Sequence, residues 1–255
     1  MKKILTMLLA AAMLFTLAAC GTTPNEADNN KNNEQNDHQA ETPDTSYEAP
    51  QITELYNEDF DYTDGVGNSG HYTYRVPQIE ADTQGAEAIN KAISDEYSPI
   101  VDSVLKTVAD KISLSCFYVT WESYQYENIL SLVVSCGWDS DVSEYNVYLY
   151  DIASGQQLTT ADLLKVLDVD EAAFLEAARR AAAATFDTQW GAIAGGDTDE
   201  FLAERRDWTL SDANVNMDVR TYADGAGKLH VVLPIGSIAG ADSYEQVLTL
   251  DGIGE

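Results

Sequence analysis

Three histidines, three cysteines and a large surplus of carboxylates are the groups with which this chain could do chemistry. The histidines stand alone: His38 lies in a polar stretch, His71 follows a glycine-rich loop, and His230 sits in the apolar run Leu229-His230-Val231-Val232. Zinc sites draw their ligands from short fixed spacings, and the chain has no His-Glu-x-x-His, Cys-x-x-Cys or His-x-x-x-His. Gly67-Asn68-Ser69-Gly70 lacks the second spaced glycine of a nucleophile elbow. Gly225-Ala226-Gly227-Lys228 has Leu229 where a phosphate-binding loop needs Ser or Thr. Asp139-Ser140-Asp141-x-x-Glu144, Asp197-Thr198-Asp199-Glu200 and Asp59-x-Asp61 before Asp64-Gly65 each offer oxygens to Ca²⁺. None follows the EF-hand pattern of ligand positions with its central glycine. Solvated turns are therefore expected at all three, and no metal or cofactor is assigned. A glycosidase needs two carboxylates at a fixed separation, which spacing in a carboxylate-rich chain does not establish. No catalytic motif is specified, and the chain reads as a non-enzyme.

Binding is better supported. Six tyrosines and two tryptophans lie between Tyr118 and Tyr150, interleaved with Glu122, Glu127, Asp139, Asp141, Glu144 and Asp151. Aromatic anchors inside a charged rim suit protein or glycan recognition. The competing reading is a set of strand aromatics half-buried in a sheet. Tyr124, Tyr126 and Trp138 read as loop residues, and with Asp139, Asp141 and Glu144 they make the candidate binding surface.

The segments that must position these residues begin with an export signal. Lys2 and Lys3 precede an uncharged run, Ile4–Ala19. That run is short of the roughly 20 residues a membrane span needs and suits the apolar core of a signal peptide. Its end, Leu17-Ala18-Ala19-Cys20-Gly21, resembles the bacterial lipobox, which implies removal of residues 1–19 and lipidation of Cys20. Two or more acyl chains hold a protein stably at a bilayer where one holds it marginally. Cys20 is then an anchor at the extracytoplasmic face of the cell membrane, and no transmembrane helix is required. Residues 20–50 hold six asparagines and seven acids against the single Lys31. With too little apolar surface to offset the ordering entropy, they form a disordered acidic tether with a reach of ~30 Å.

Charge sorts the partners. The chain has 43 acidic against 14 basic side chains and a net charge of −29, of which residues 51–255 hold 36 acids and 11 bases. Nucleic acid needs clustered Lys and Arg, and anionic lipid repels such a surface. Both are excluded, whereas a basic partner would be steered in.

Residues 51–255 read as one α+β domain with a mainly antiparallel sheet and packed helices, divisible into two coupled halves near 140–155. Ile52–Tyr56 and His71–Val76 are expected strands, the second ended by Pro77. Thr83–Asp110 is an expected helix broken or kinked at Pro99. Strand patterns follow over 114–121, Ile129–Cys136 and Glu144–Ile152, the first two turning about Tyr124–Tyr126. A helix capped by Thr159 or Thr160 precedes a long one over Glu171–Trp190, started by Asp168 or Asp170. Gly195-Gly196 ends that region, before a short helix over Thr198–Arg206. Trp208–Leu210, Val215–Tyr222, Leu229–Leu233 and Gln246–Leu250 read as strands, with Asp224-Gly225-Ala226-Gly227 as a hairpin turn. Cys116 and Cys136 fall opposite each other in the first hairpin, which allows either a cross-strand disulfide or two buried free thiols.

Several stretches resemble the RsiV-like extracellular domain family. They are Tyr74-Arg75-Val76-Pro77-Gln78-Ile79, Ile89-Asn90 and Ile129-Leu130-Ser131-Leu132-Val133. Most specific is Tyr148-Leu149-Tyr150-Asp151-Ile152-x-Ser154-Gly155-Gln156-x-Leu158-Thr159-x-x-Asp162-Leu163-Leu164, and Tyr222-x-Asp224-Gly225-x-Gly227-Lys228-Leu229-His230-Val231-Val232-Leu233-Pro234 completes the series. That family includes the lysozyme-sensing part of an anti-sigma factor and a non-catalytic region preceding a peptidoglycan deacetylase domain. The resemblance implies an α+β envelope domain used for recognition. A lipobox stands where the anti-sigma factor has its cytoplasmic segment and membrane span, so transmembrane signalling does not carry over. No deacetylase domain follows within this sequence. The leading expectation is a lipoprotein whose domain binds an envelope or host partner such as a cationic, lysozyme-like protein. A peptidoglycan- or glycan-binding module is the alternative, and an envelope hydrolase the third.

Overall fold

Alternating side chains over Ile52–Thr63 and Ser69–Ile79 form two long antiparallel strands, β1 and β2. The computed structural model describes residues 47–139 (Asp139 as backbone), 142–193, 199–239 and 242–253. Asp64 closes the β1–β2 turn by accepting the amide N–H groups of Val66 and Asn68, both at 2.9 Å. Gly67 takes a φ of +96° there, which a side chain would oppose. Both strands outrun the sequence expectation. Pro77 does not stop β2; it pairs with Glu54 beside a register shift between Glu54 and Tyr56. On its other side β2 meets the next strand only at Thr73 and Tyr74, so no ladder partner needs the missing proline N–H.

Helix α1 spans Gln84–Ala109, with the Thr83 side chain accepting the Ala86 N–H as its N-cap. It runs through Pro99, where a break or kink was expected. Buried residues lie on both sides of the proline, among them Ile93, Tyr97, Val101 and Val104. Their packing offsets the roughly 3 kcal/mol that an interior proline costs. After α1 the chain forms a meander: β3 (Tyr118–Tyr126), β4 (Ile129–Asp139), β5 (Val142–Asp151) and β6 (Gln156–Leu158). These complete a six-stranded sheet in the order β1-β2-β3-β4-β5-β6, antiparallel except where β3 runs beside β2. The bend between β3 and β4 falls at Glu127-Asn128, with Glu127 at φ 51°, beyond the tyrosines expected to form it.

Helix α2 (Thr160–Val166) opens with a reciprocal capping box between Thr159 and Asp162. Helix α3 (Glu171–Trp190) starts on Asp170, whose carboxylate accepts the N–H groups of Ala172 and Ala173. Helix α4 covers Asp199–Thr209 and takes in Trp208, which was expected in a strand. The guanidinium of Arg205 lies over the Trp208 ring, 5.1 Å from its centroid. Three antiparallel strands follow, β7 (Arg220–Ala223), β8 (Leu229–Gly236) and β9 (Ser243–Thr249). The expected strand from Val215 shrinks to β7 because turns occupy the preceding residues.

Two hydrophobic cores share β4 and β5. Leu130, Leu132, Val134 and Cys136 face α1 and pack with Tyr74, Val119, Tyr148 and Tyr150. Ile129, Val133 and Leu149 point the other way, as strand pleating requires. They join Phe174, Ala178, Val231, Leu233 and Ile235. The class is α+β, with one large mixed sheet and a second small one. The signal segment, Cys20 and the tether up to residue 46 lie outside the described residues, as do Asp141, Gly195, Gly196, Asp197 and Thr198.

Candidate functional site

The structure separates the residues proposed from sequence into two groups. Tyr124 and Tyr126 sit on β3, opposite Ser131 and Ile129, and pack against the second core. Trp138 and Glu144 lie on β4 and β5 at the far end of the strands, where Trp138 packs against the first core. Along β4 that is about 30 Å at ~3.3 Å per residue. The two groups thus occupy opposite ends and opposite faces of the large sheet. Trp138 Nε1 donates to Glu144 Oε2 at 2.9 Å, so those two do meet. Asp139 closes β4, paired with Val142. None of the three aromatics is in a loop, because their strong strand preference extends both strands past the expected turns.

Around Tyr124 a cluster forms that the sequence did not disclose. Its ring stacks on Tyr222, centroids 5.5 Å apart, and Tyr222 stacks on His230 at 4.8 Å. Tyr124 OH donates to Glu122 Oε2 at 2.5 Å. His230 Nε2 lies 3.1 Å from Asp224 Oδ2, and its Nδ1 lies 3.2 Å from the Thr249 hydroxyl. Hairpin register explains the convergence: β7–β8 places Tyr222 opposite His230, and β8–β9 places His230 opposite Thr249. The turn at residues 224–227 was legible. Counting outward from it would have found this row.

Electrostatics follow from the packing. The hydrogen bond to Glu122, then burial, raises the Tyr124 phenol. Burial first, then the charges of Glu122 and Asp224, pushes Tyr222 up to about 12. Burial alone would raise Asp224, but bonds from His230 and from the N–H groups of Ala226 and Lys228 outweigh it and hold the carboxyl below its ordinary range. An acid, an imidazole and a hydroxyl in a row can relay a proton. Here the same carboxylate also fastens the turn through its Oδ1, and the imidazole lies flat on a tyrosine. At Gly227, φ +79°, a Cβ would stand 2.6 Å from the Tyr126 ring, so glycine lets this turn close onto β3.

A second candidate is a cleft of about 430 Å³ lined by Ser143, Tyr145, Gln189, Trp190, Tyr244, Glu245 and Gln246. It lies where β5 and β9 begin and α3 ends. Glu245 accepts the Tyr145 N–H at 2.9 Å and pairs with Arg220, which also donates to the Tyr145 carbonyl. Trp190 Nε1 donates to Gly236 O at 3.0 Å, and Tyr118 OH meets Ser143 Oγ at 2.5 Å. Aromatic rings with amide, hydroxyl and carboxylate groups at one concave surface are the composition of a ligand-binding site. Of the cleft's aromatics, Tyr145 lies inside the aromatic stretch, but Trp190 and Tyr244 come from elements remote in sequence.

Other residues weighed from sequence are scattered. His71 sits between Asp59 and Asp61 at 3.0 Å from each, and its hydrogen bond to Asp61, then the charge of Asp59, raises its pKa. Among the described residues, no group of three or more His, Cys, Asp or Glu side chains is arranged to hold a metal ion. Cys116 and Cys136 are buried free thiols with sulfurs 3.5 Å apart. The residue opposite Cys136 on β3 is Val119, since β3 begins two residues after Cys116. No helix of the described residues is long and apolar enough to cross a membrane.

No protein-family model matches the chain, and no curated protein matches it in sequence. Among solved structures it is similar to the crystal structure of a member of the DUF3298 family from Bacteroides fragilis. Sequence identity is 9% and the TM-score 0.36, over 80% of this chain and 91% of that one. A likeness at that level carries no argument about what this protein does.

Proposed function

We propose that this chain is a lipoprotein held through Cys20 at the extracytoplasmic face of the cell membrane, whose α+β domain is a non-catalytic recognition module for a cationic protein partner. The lipobox-like Leu17-Ala18-Ala19-Cys20 and the acidic tether support the anchoring. The carrying observation is the charge left on the domain once its bases are matched. Of the 11 bases in residues 51–255, Arg75, Lys91, Arg179, Arg180, Arg206, Arg220 and Lys228 already face carboxylates. Acids in that segment outnumber bases 36 to 11, and most of the acids among the described residues are exposed. Such a surface speeds encounter with a basic protein and weakens its hold as salt rises. The RsiV-like resemblance of Tyr148–Leu164 and Tyr222–Pro234 points the same way. Immobilised domain should retain lysozyme at low ionic strength and progressively release it at moderate ionic strength. No retention at low salt rejects the cationic partner.

One observation favours a second reading, a module for peptidoglycan or another glycan. The cleft is lined by Tyr145, Trp190 and Tyr244 beside Gln189, Gln246, Glu245 and Ser143, the combination of aromatic rings with amide and carboxylate groups that suits pyranose rings. Co-sedimentation with purified cell wall should then survive salt that releases lysozyme. Tyr244→Ala should abolish it.

A further inference from the structure

Cys116 and Cys136 are 1% and 2% exposed, and their Sγ atoms lie 3.5 Å apart. Ladder pairing does not bring them together. Cys116 lies ahead of β3, where Phe117 N–H donates to Gly137 O at 2.6 Å and Tyr74 OH donates to Cys116 O at 2.6 Å. The first bond holds this segment against β4, beside Cys136, and the second ties the Cys116 backbone to β2. The thiols are not equivalent. A cleft of about 240 Å³ under α1, walled by Pro99, Ser103, Thr107, Leu114 and Trp138, is lined by Cys116 and not by Cys136. The hydrogen bond between the two sulfurs also holds the Cys116 thiol below its ordinary range and, with burial, pushes the Cys136 thiol up.

We propose that Cys116 and Cys136 are a covalent redox site whose substrate is a small organic disulfide, with Cys116 the attacking thiol and Cys136 the resolving one. The Cys116 thiolate attacks one sulfur of the incoming disulfide. A Cys116–reagent bond forms, the reagent's own S–S bond breaks, and the departing thiolate takes the proton that Cys116 gave up. Cys136 then attacks the Cys116 sulfur, the protein disulfide forms, and the second reagent thiol leaves with the Cys136 proton. Two electrons pass from the protein to the reagent, which ends as two thiols. The sulfurs must close from contact to about 2.05 Å, and the segment from β3 to β4 becomes a cross-linked loop. Cross-linking a loop of this size raises the melting temperature by about 5–10 °C in a domain this large.

The test uses the full chain, reduced, freed of reductant and exposed while folded to 2-hydroxyethyl disulfide, with peptide mapping to separate these thiols from Cys20. Wild type should form the Cys116–Cys136 bond, retain no adduct on either residue, and melt higher until reductant is added. Cys136→Ala should hold one mercaptoethanol adduct on Cys116, and Cys116→Ala should react at Cys136 at least about ten times more slowly. If a variant does not fold, acid quenching of the wild-type reaction replaces it, and the trapped mixed disulfide must map to Cys116. Trapping on Cys136 overturns the order. Thiols that stay free in the folded chain but oxidise in urea overturn the site, as does a melting temperature unmoved by oxidation.

Discussion

The first core, under α1, is a tyrosine core, while the second, around α3 and β8, is built from aliphatic and alanine side chains. Tyr62, Tyr72, Tyr74, Tyr97, Tyr148 and Tyr150 are all buried in the first. Four of their hydroxyls are anchored: Tyr62 donates to Ile112 O at 2.8 Å, Tyr74 donates to Cys116 O at 2.6 Å, Tyr97 accepts Asn146 Nδ2 at 2.9 Å, and Tyr150 meets the Thr83 hydroxyl at 3.2 Å. Burial pushes the Tyr148 phenol up to about 12. The second core has Leu163, Leu164, Phe174, Ala177, Ala178, Ala182, Val231, Leu233 and Ile235, with Tyr222 the one tyrosine among its buried residues. Buried hydroxyls that find partners in a single arrangement specify geometry, whereas an apolar core specifies volume and pattern. The aromatics between Tyr118 and Tyr150 are divided: Trp121, Trp138, Tyr148 and Tyr150 pack in the first core, Tyr124, Tyr126 and Tyr145 pack against the second, and the aromatic cleft joins Tyr145 to Trp190 and Tyr244 from outside that stretch.

The contrast can be broken by mutation. Phe174→Ala, at a fully buried position of the second core, should cost about 3–5 kcal/mol in urea unfolding, whereas the volume-conserving Leu233→Met should cost under ~1.5 kcal/mol. Tyr74→Phe changes volume hardly at all, yet should cost about 1–3 kcal/mol because the Cys116 carbonyl loses its donor inside the core. A Tyr74→Phe cost below that of Leu233→Met would end the distinction between the cores. Asp170→Ala removes the acceptor for two α3 amides and should lower stability by about 1 kcal/mol.

Two smaller effects sharpen the picture. Ser131 Oγ, on β4 between Tyr124 of β3 and Leu149 of β5, has no hydrogen-bond partner among the described residues. Ser131→Ala should therefore be neutral or stabilise by up to ~1 kcal/mol, and a clear loss would reveal a partner. Asp64 is held at about 2 by the Ser113 hydroxyl first, then by Asn68 and Val66, against a desolvation that alone would raise it. A depressed carboxylate stabilises fully above its unfolded value near ~3.9 and loses that contribution as pH falls toward the folded value. Amide exchange of Val66 and Asn68 should rise from pH 4 to about 2 relative to Asp64→Asn, whose loop should show no such pH step. An equal response in both proteins would remove Asp64 as the cause.

Local signals were the ones the sequence carried well. Thr159 and Asp170 start helices because their side chains reach amides a few residues on, and that chemistry is written in adjacent letters. The α+β class and the 224–227 turn follow from period and turn residues in the same way. Partnership across elements was not legible. Pro77 looked like a strand end because its missing N–H matters only if a neighbour needs it, and the two-residue contact of β2 with β3 is a tertiary fact. Trp208 looked like a strand until Arg205 and α4 were in place. The Tyr222–His230–Thr249 row needed a register count across two hairpins, and the cleft needed three elements to meet.

Strand β1 has a consequence for how copies of the protein behave together. It is the outer strand of the large sheet and runs 12 residues, whereas β6 at the opposite side has three. A long outer strand offers a row of backbone groups to any second strand that comes alongside. Glu54, Glu58, Asp59 and Asp61 line this one, so a second copy would meet carboxylates with carboxylates. The acidity read above as an attraction for basic partners is equally a guard against self-association, and it holds only while those carboxylates stay ionised.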